Sequence, residues 1–287
     1  MASACAAPMK PRTGVLRIIS ATLSKSGSLD SSVSFVNHRP SVSGTIDSIP
    51  SAEASSILCS HCWADAGLAE GPQSHTISFP TLHGLGLPTL MISYRNDPGA
   101  PQSKSDILRY GLTEWQDLQA AVGYALSHGA QHVVLLGYSM GGGIVTNFLL
   151  QSKLASKVSA VILDAPMEDF SATVNFDASE MSLPLVGVAL PQSLTDVAKS
   201  ISSWRYGVAW SRLNYLNEVK RLKTPILLFQ GLADKTVPPA SSSALAHDLP
   251  DLVTYVTTPG AGHLESWNFN PQRYDSMMNS FIQAHIS

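Results

Sequence analysis

The stretch LLGYSMGGG, residues 135–143, places one serine between an apolar run and a row of glycines. The apolar run is typical of a strand buried on both faces, and the residues after the serine have the composition of a buried helix. Ser139 therefore lies at a strand-to-helix turn. A tight turn would force the serine into an unfavourable backbone conformation and leave no room for side chains at Gly137 and Gly141. The stretch predicts a projecting serine hydroxyl, although glycine-rich turns also bind phosphate or simply reverse the chain.

Strand and helix patterns alternate on both sides of this turn. Apolar strands are predicted at 55–61, 88–94, 132–136, 158–164, 225–231 and 252–258, and weak alternation at 33–49 allows an opening hairpin. Helices are predicted at 113–129, 142–151, 241–248 and 271–286, the first opening with a capping box of Thr113 and Gln116. The pattern predicts an α/β protein with a doubly wound, mostly parallel sheet. Its longest interruption, residues 165–223, follows the sixth strand and is interpreted as a short cap insertion.

A serine nucleophile needs a base, and the base needs an acid that orients it. His263 stands in PGAGH, in the loop after the last predicted strand, and Asp234 stands in GLADKTVPP, after the strand before it. Parallel strands end at one edge of a sheet, so we expect both side chains beside Ser139. Asp164, which also ends a strand, is the alternative acid, and its other interpretation is a carboxylate that stabilises a loop.

Three motifs carry a resemblance to a known family. GYSMGG at 137–142, GLADKTVP at 231–238 and GAGH at 260–263 stand in the order nucleophile, acid, base. With them, the chain from about residue 55 to 285 resembles serine hydrolases of the α/β-hydrolase fold. LGLPTLMISYRNDPGAPQS and GLTEWQDLQAAVGYAL are similar to a short-cap, esterase-like branch. The resemblance implies a catalytic triad of Ser139, Asp234 and His263.

An oxyanion hole is expected from the backbone N–H groups of Met140 and Trp63. Met140 follows the serine at the start of a helix, where backbone N–H groups point toward the turn and stabilise negative charge. The family usually carries His-Gly-x-Gly after its third strand, whereas this chain reads SHCWADAG, with Cys62 in place of the first glycine. A Cβ restricts a turn that glycine would leave free, so a displaced loop would make the protein a slow esterase.

The predicted reaction is hydrolysis of a small-molecule ester or acyl substrate through an acyl-serine intermediate. No metal or organic cofactor is required for it. The same triad serves amidases, peptidases and thioesterases, and a non-catalytic binding protein of the same fold is the alternative from another class. Arg95, which follows a strand on the same edge, is expected to brace a loop through an ion pair or to meet an acidic substrate group.

The composition limits the partners of the chain. Its 287 residues are 44% hydrophobic and 14% charged, which is typical of a folded domain, and the net charge of −3 offers no basic field for nucleic acid. No apolar run reaches the length of a membrane span. Three cysteines cannot form a disulfide framework, and Cys59 and Cys62 are interpreted as small apolar residues rather than a metal or redox pair. The oligomeric state stays open.

The N-terminus differs from the rest of the chain. Its first 29 residues contain no Asp or Glu, several serines and four basic residues. Residues 1–30 are therefore predicted to be a disordered or targeting tail, and residues 31–287 the α/β-hydrolase domain. This composition allows import into an organelle, while the rest of the sequence favours the cytoplasm.

Overall fold

The computed structural model describes residues 18–21, 34–35, 55–60, 79–92, 94–96, 100–104, 107–181 and 190–286. Eight strands form one sheet in the order β2-β1-β4-β3-β5-β6-β7-β8. Only the β1–β2 pair is antiparallel among the described strands. The strands are β1 (Ile18–Ala21), β2 (Ser34–Phe35), β3 (Ser55–Ser60), β4 (Thr89–Ile92), β5 (His132–Tyr138), β6 (Val158–Asp164), β7 (Ile226–Gly231) and β8 (Val253–Thr258).

Helices connect most of the parallel strands. They are α1 (Phe79–Gly84), α2 (Trp115–Ser127), α3 (Met140–Gln151), α4 (Phe170–Glu180), α5 (Gln192–Tyr206), α6 (Pro239–Asp248), α7 (Ser266–Phe269) and α8 (Pro271–His285). Short 3-10 helices cover Ala155–Lys157, Trp210–Leu213 and Tyr215–Arg221. Two α-helices and two of these 3-10 helices fall within residues 165–223, between β6 and β7.

The central strand β5 shows why its apolar run has no polar alternation. Val133 and Leu135 belong to a cluster with side chains of α2 and α3, whereas Val134 and Leu136 belong to a second cluster with side chains of α8. All four are fully buried. Burying such a side chain contributes about 1.5–3 kcal/mol, so both faces of the sheet hold the fold together. The predicted α/β architecture is confirmed.

Two local features differ from the sequence-based expectation. β1 lies within residues 1–30, where a tail is predicted, and the rest of that segment is outside the described residues. The capping box is wrong, because α2 begins after Glu114 and has no side-chain cap. The Glu114 carboxylate instead accepts hydrogen bonds from the backbone N–H groups of Arg109, Gly111 and Thr113. The Glu114 side chain thereby gives hydrogen-bond partners to the backbone N–H groups of the loop that leads into the helix.

Within the described part of the chain, no helix has both the length and the apolar character that a bilayer span would need.

Candidate active site

Ser139 occupies a strained turn between β5 and α3. Its backbone lies at φ 49° and ψ −120°, a conformation that a residue with a side chain rarely adopts. Its N–H donates to the Asp164 carbonyl oxygen at 3.0 Å, and its own carbonyl oxygen accepts from the Met167 N–H at 2.9 Å. Such strain costs on the order of 1–3 kcal/mol and persists where surrounding contacts impose it. These contacts from the end of β6 fix the turn.

The glycines around Ser139 have steric causes. A Cβ at Gly137 would lie 2.8 Å from the carbonyl oxygen of Gly141, which is closer than real Cβ atoms approach. A Cβ at Gly142 would lie 2.4 Å from Pro166 Cβ, and one at Gly143 would lie 2.5 Å from a backbone carbonyl oxygen. The tight turn expected from the sequence accounts for the glycine at position 137. The need for glycine at 142 and 143 arises from the segment after β6, which packs against the start of α3.

The structure brings Ser139, His263 and Asp234 together. His263 Nε2 lies 3.0 Å from Ser139 Oγ, and His263 Nδ1 lies 2.9 Å from Asp234 Oδ2. The His263 side chain is 7% exposed and that of Asp234 is 0% exposed. A carboxylate only accepts hydrogen bonds, so the ring hydrogen sits on Nδ1 and leaves Nε2 as an acceptor for the serine O–H. This arrangement can move a proton from the serine to the imidazole.

Asp234 is held as a carboxylate by four hydrogen bonds. Oδ1 accepts from the backbone N–H groups of Thr236 at 2.8 Å and Val237 at 2.9 Å. Oδ2 accepts from Gln230 Nε2 at 3.1 Å as well as from His263. Burial opposes ionisation, but the hydrogen bond and charge of His263 and the two backbone N–H groups outweigh it and lower the pKa of Asp234. The acid is therefore ionised and oriented.

A close contact between two loops joins the acid to the base. The Ala233 N–H donates to the Ala261 carbonyl oxygen at 2.8 Å. A Cβ at Gly231 would lie 2.4 Å from the carbonyl oxygen of Gly262, so the end of β7 must be glycine for the loops to meet. The Gly262 N–H in turn donates to Glu265 Oε2 at 2.7 Å. The role of Gly231 was not predicted from the sequence. The only sign of it there is that the strand pattern PILLFQG ends in a glycine.

Asp164, the alternative acid, lies elsewhere. Its Oδ2 accepts from the Tyr274 hydroxyl at 2.9 Å, and its Oδ1 has no hydrogen-bond partner among the described residues. Burial raises its pKa to about 7, against the opposing effects of the Tyr274 hydrogen bond and the His263 charge. Its backbone carbonyl supports the serine turn, as described above. The side chain makes no hydrogen bond to His263.

The remaining predicted site residues have three different outcomes. Met140 is buried and opens α3, directly after Ser139. Trp63 and Cys62 lie outside the described residues. Arg95 braces a loop, as expected, because its guanidinium donates to both carboxylate oxygens of Asp117 at 2.8 and 2.6 Å.

A family model matches the region that holds these features. The model describes the alpha/beta hydrolase family and covers residues 55–276, from the start of β3 into α8. The chain belongs to the alpha/beta hydrolase family. The match includes all three residues of the Ser139, Asp234 and His263 cluster. None of the curated proteins matches the sequence significantly.

Solved structures of the alpha/beta hydrolase fold are similar to this one over most of the chain. An esterase of Pyrococcus furiosus has a TM-score of 0.65 and 16% identity, over 94% of this chain and 92% of its own. Est1E from Butyrivibrio proteoclasticus, solved with ferulic acid, has a TM-score of 0.57 and 17% identity, over 82% and 91%. A bromoperoxidase from Bacillus anthracis has a TM-score of 0.55 and 17% identity, over 80% and 92%. At these identities the likeness establishes the fold.

Proposed function

We propose that this alpha/beta hydrolase cleaves a small-molecule carboxylic ester through an acyl-serine intermediate. The observation that carries the proposal is the continuous hydrogen-bond chain from Ser139 Oγ through the His263 ring to Asp234, with heavy-atom distances of 3.0 and 2.9 Å. Both distances lie within the range that proton transfer between positioned groups requires. The strained serine turn and the ionised acid support the same reaction.

The reaction has two proton transfers through one imidazole. Ser139 Oγ attacks the ester carbonyl carbon while His263 Nε2 takes the hydroxyl proton. The C–O bond to the alcohol then breaks, and the imidazolium gives its proton to the departing alcohol oxygen. Water attacks the acyl-serine by the same route and returns the proton to Ser139 Oγ as the acid leaves. Asp234 stabilises the imidazolium and keeps the hydrogen on Nδ1.

Negative charge forms on the carbonyl oxygen at each tetrahedral stage. We assign the Met140 backbone N–H as one donor to this oxygen, because it directly follows the serine and opens α3. The helix dipole adds to its effect. Trp63 is proposed as the second donor, on the basis of its sequence position after β3. One such donor contributes about 10²–10³ in turnover.

The comparisons support an ester as the substrate class. One of the similar folds is that of an esterase of Pyrococcus furiosus. A serine triad needs no metal or organic cofactor, so the proposed reaction involves the chain, the ester and water alone. Residues 165–223 are proposed to act as the cap that shapes the acyl pocket.

Turnover of p-nitrophenyl acetate by the wild type and by Ser139→Ala tests the proposal. The variant should lose about 10⁴-fold or more in kcat, because the remaining groups can neither form the acyl intermediate nor replace its nucleophile. Ser203→Ala, at an exposed position of α5, is the matched control and should keep wild-type turnover. An active Ser139→Ala variant, or a wild type that does not cleave oxyesters but does cleave thioesters or anilides, would contradict the proposal.

A further inference from the structure

The helix α5 turns an apolar stripe toward solvent. Leu194 is 49% exposed, Val197 54%, Ile201 55% and Trp204 84%. Only Thr195 on this 15-residue helix is buried. A helix on the surface of a folded protein normally turns its apolar face inward. Nothing in the described part of the chain covers this stripe.

Polar contacts hold the opposite side of α5 against the protein. Lys199 Nζ donates to the Ser171 hydroxyl at 2.5 Å and to Asn175 Oδ1 at 3.0 Å, both on α4. The Trp210 indole N–H donates to the Lys199 carbonyl oxygen at 3.0 Å. A rotation of α5 that buried its apolar stripe would break these bonds. The exposed orientation is therefore a built feature of the fold.

The spacing of the stripe fits a helical partner. Its four members follow one another at three, four and three residues, which is the spacing of the a and d positions in two heptads. Three of the four flanking positions carry small neutral side chains, Ser193, Ala198 and Ser200, which allow close approach, and the fourth carries Arg205 at the end of the helix. A helix that lies on a lipid surface has instead a broad apolar face bordered by Lys and Arg. The narrow seam, with a single flanking charge at one end, favours a second helix.

We propose that two copies of this chain associate through α5, with the two helices antiparallel. This pairing sets Leu194 opposite the partner's Trp204 and Val197 opposite the partner's Ile201. A parallel pairing would crowd each Trp204 against its own copy. An antiparallel pairing also keeps the two copies of Arg205, in the last turn of the helix, at opposite ends of the contact.

The exposed area is consistent with a modest dimer. Trp204 offers roughly 200 Å² and each half-exposed aliphatic side chain roughly 50 Å², which makes about 700 Å² of apolar surface for two copies. Apolar atoms form about 60% of a typical interface, so the whole contact would be about 1,200 Å². That value lies at the lower end for specific interfaces, where weak and transient contacts are found.

Sedimentation velocity of the full chain from about 1 to 100 μM tests the proposal. The wild type should shift with concentration from the 30.6 kDa mass of one chain toward twice that mass. Ile201→Glu and, separately, Val197→Glu should each weaken association at least about 100-fold, since a symmetric dimer buries two new unpaired charges. Ser203→Glu, which adds the same charge to the other side of α5, should associate like the wild type.

Several results would overturn the proposal. A wild type that stays monomeric throughout, or a dimer unaffected by both substitutions, shows that α5 is not the contact. A monomer that binds phosphatidylcholine vesicles, and loses this binding in Ile201→Glu, assigns the stripe to a lipid surface instead. Circular dichroism should show unchanged helix content in each variant, because the substituted side chains are exposed. Ser139→Ala should dimerise like the wild type, so this test is independent of the catalytic proposal.

Discussion

The substitution Asp234→Asn tests the role of the orienting carboxylate while the other features of the candidate site stay in place. An asparagine keeps the shape of the side chain and keeps one oxygen for the N–H groups of Thr236 and Val237. Its amide nitrogen then takes the place of Oδ2, where the His263 ring nitrogen at 2.9 Å and Gln230 Nε2 at 3.1 Å both donate. His263 can still bond to the amide only if its hydrogen moves to Nε2.

In that tautomer, His263 cannot act as the base for Ser139. With its hydrogen on Nε2, the His263 ring donates to Ser139 Oγ and has no lone pair to accept the serine proton. We expect kcat to fall by about 10⁴, or about 5.4 kcal/mol in activation free energy. The free energy of unfolding should fall by only about 1–3 kcal/mol, because one buried hydrogen bond to Gln230 is lost. The two effects therefore differ in size and can be measured separately.

The assay is initial-rate hydrolysis of p-nitrophenyl acetate, with urea denaturation of the same samples. Asp164→Asn is the matched control, since it neutralises another buried carboxyl at the carboxyl edge of the sheet and should change kcat by less than about tenfold. The reasoning fails if Asp234→Asn keeps more than about a tenth of wild-type kcat with an intact fold. It also fails if Asp164→Asn causes the larger loss.

Two further predictions concern stability. Gly142→Ala should lower the free energy of unfolding by about 1–3 kcal/mol, because its Cβ would lie 2.4 Å from Pro166 Cβ, and an unchanged urea midpoint would contradict this. Burial raises the pKa of Asp164 to about 7 in the folded state, whereas the unfolded value is about 3.9. Between these values the folded state keeps a proton that the unfolded state has released, so wild-type stability falls as pH rises. The free energy of unfolding of Asp164→Asn, relative to the wild type, should rise by on the order of 4 kcal/mol from pH 4 to 8, and a constant difference in urea titrations would refute this.

Local patterns in the sequence were sufficient for the six strands β3 to β8 and for the positions of the candidate site residues. The runs at β5, β6 and β7 are continuously apolar, which both identifies buried parallel strands and shows where each one ends. Ser139, Asp234 and His263 follow strand ends, so their meeting depends on topology more than on detailed packing.

Contacts between distant segments could not be predicted in this way. The hydroxyl of Tyr274 reaches Asp164 across 110 residues, and no local pattern relates the two. A glycine is needed at 231 because a side chain there would collide with the loop at Gly262. This contact can be recognised only when the ends of β7 and β8 are placed side by side. The Thr113 capping box fails because the neighbouring Glu114 serves the preceding loop. The apolar stripe of α5 faces solvent, whereas apolar helix faces usually point inward, because polar side chains of α4 pack against the opposite side of α5.

Covalent labelling tests the central claim most directly. A fluorophosphonate probe reacts with a serine only when a base activates it, so it reports the nucleophile without assuming a substrate. The account predicts about one label per chain, located by peptide mass spectrometry on Ser139, with no label on Ser139→Ala and strongly reduced label on His263→Ala. A label on another serine, or a folded wild type that takes up none, would contradict the assignment of this site as a serine hydrolase.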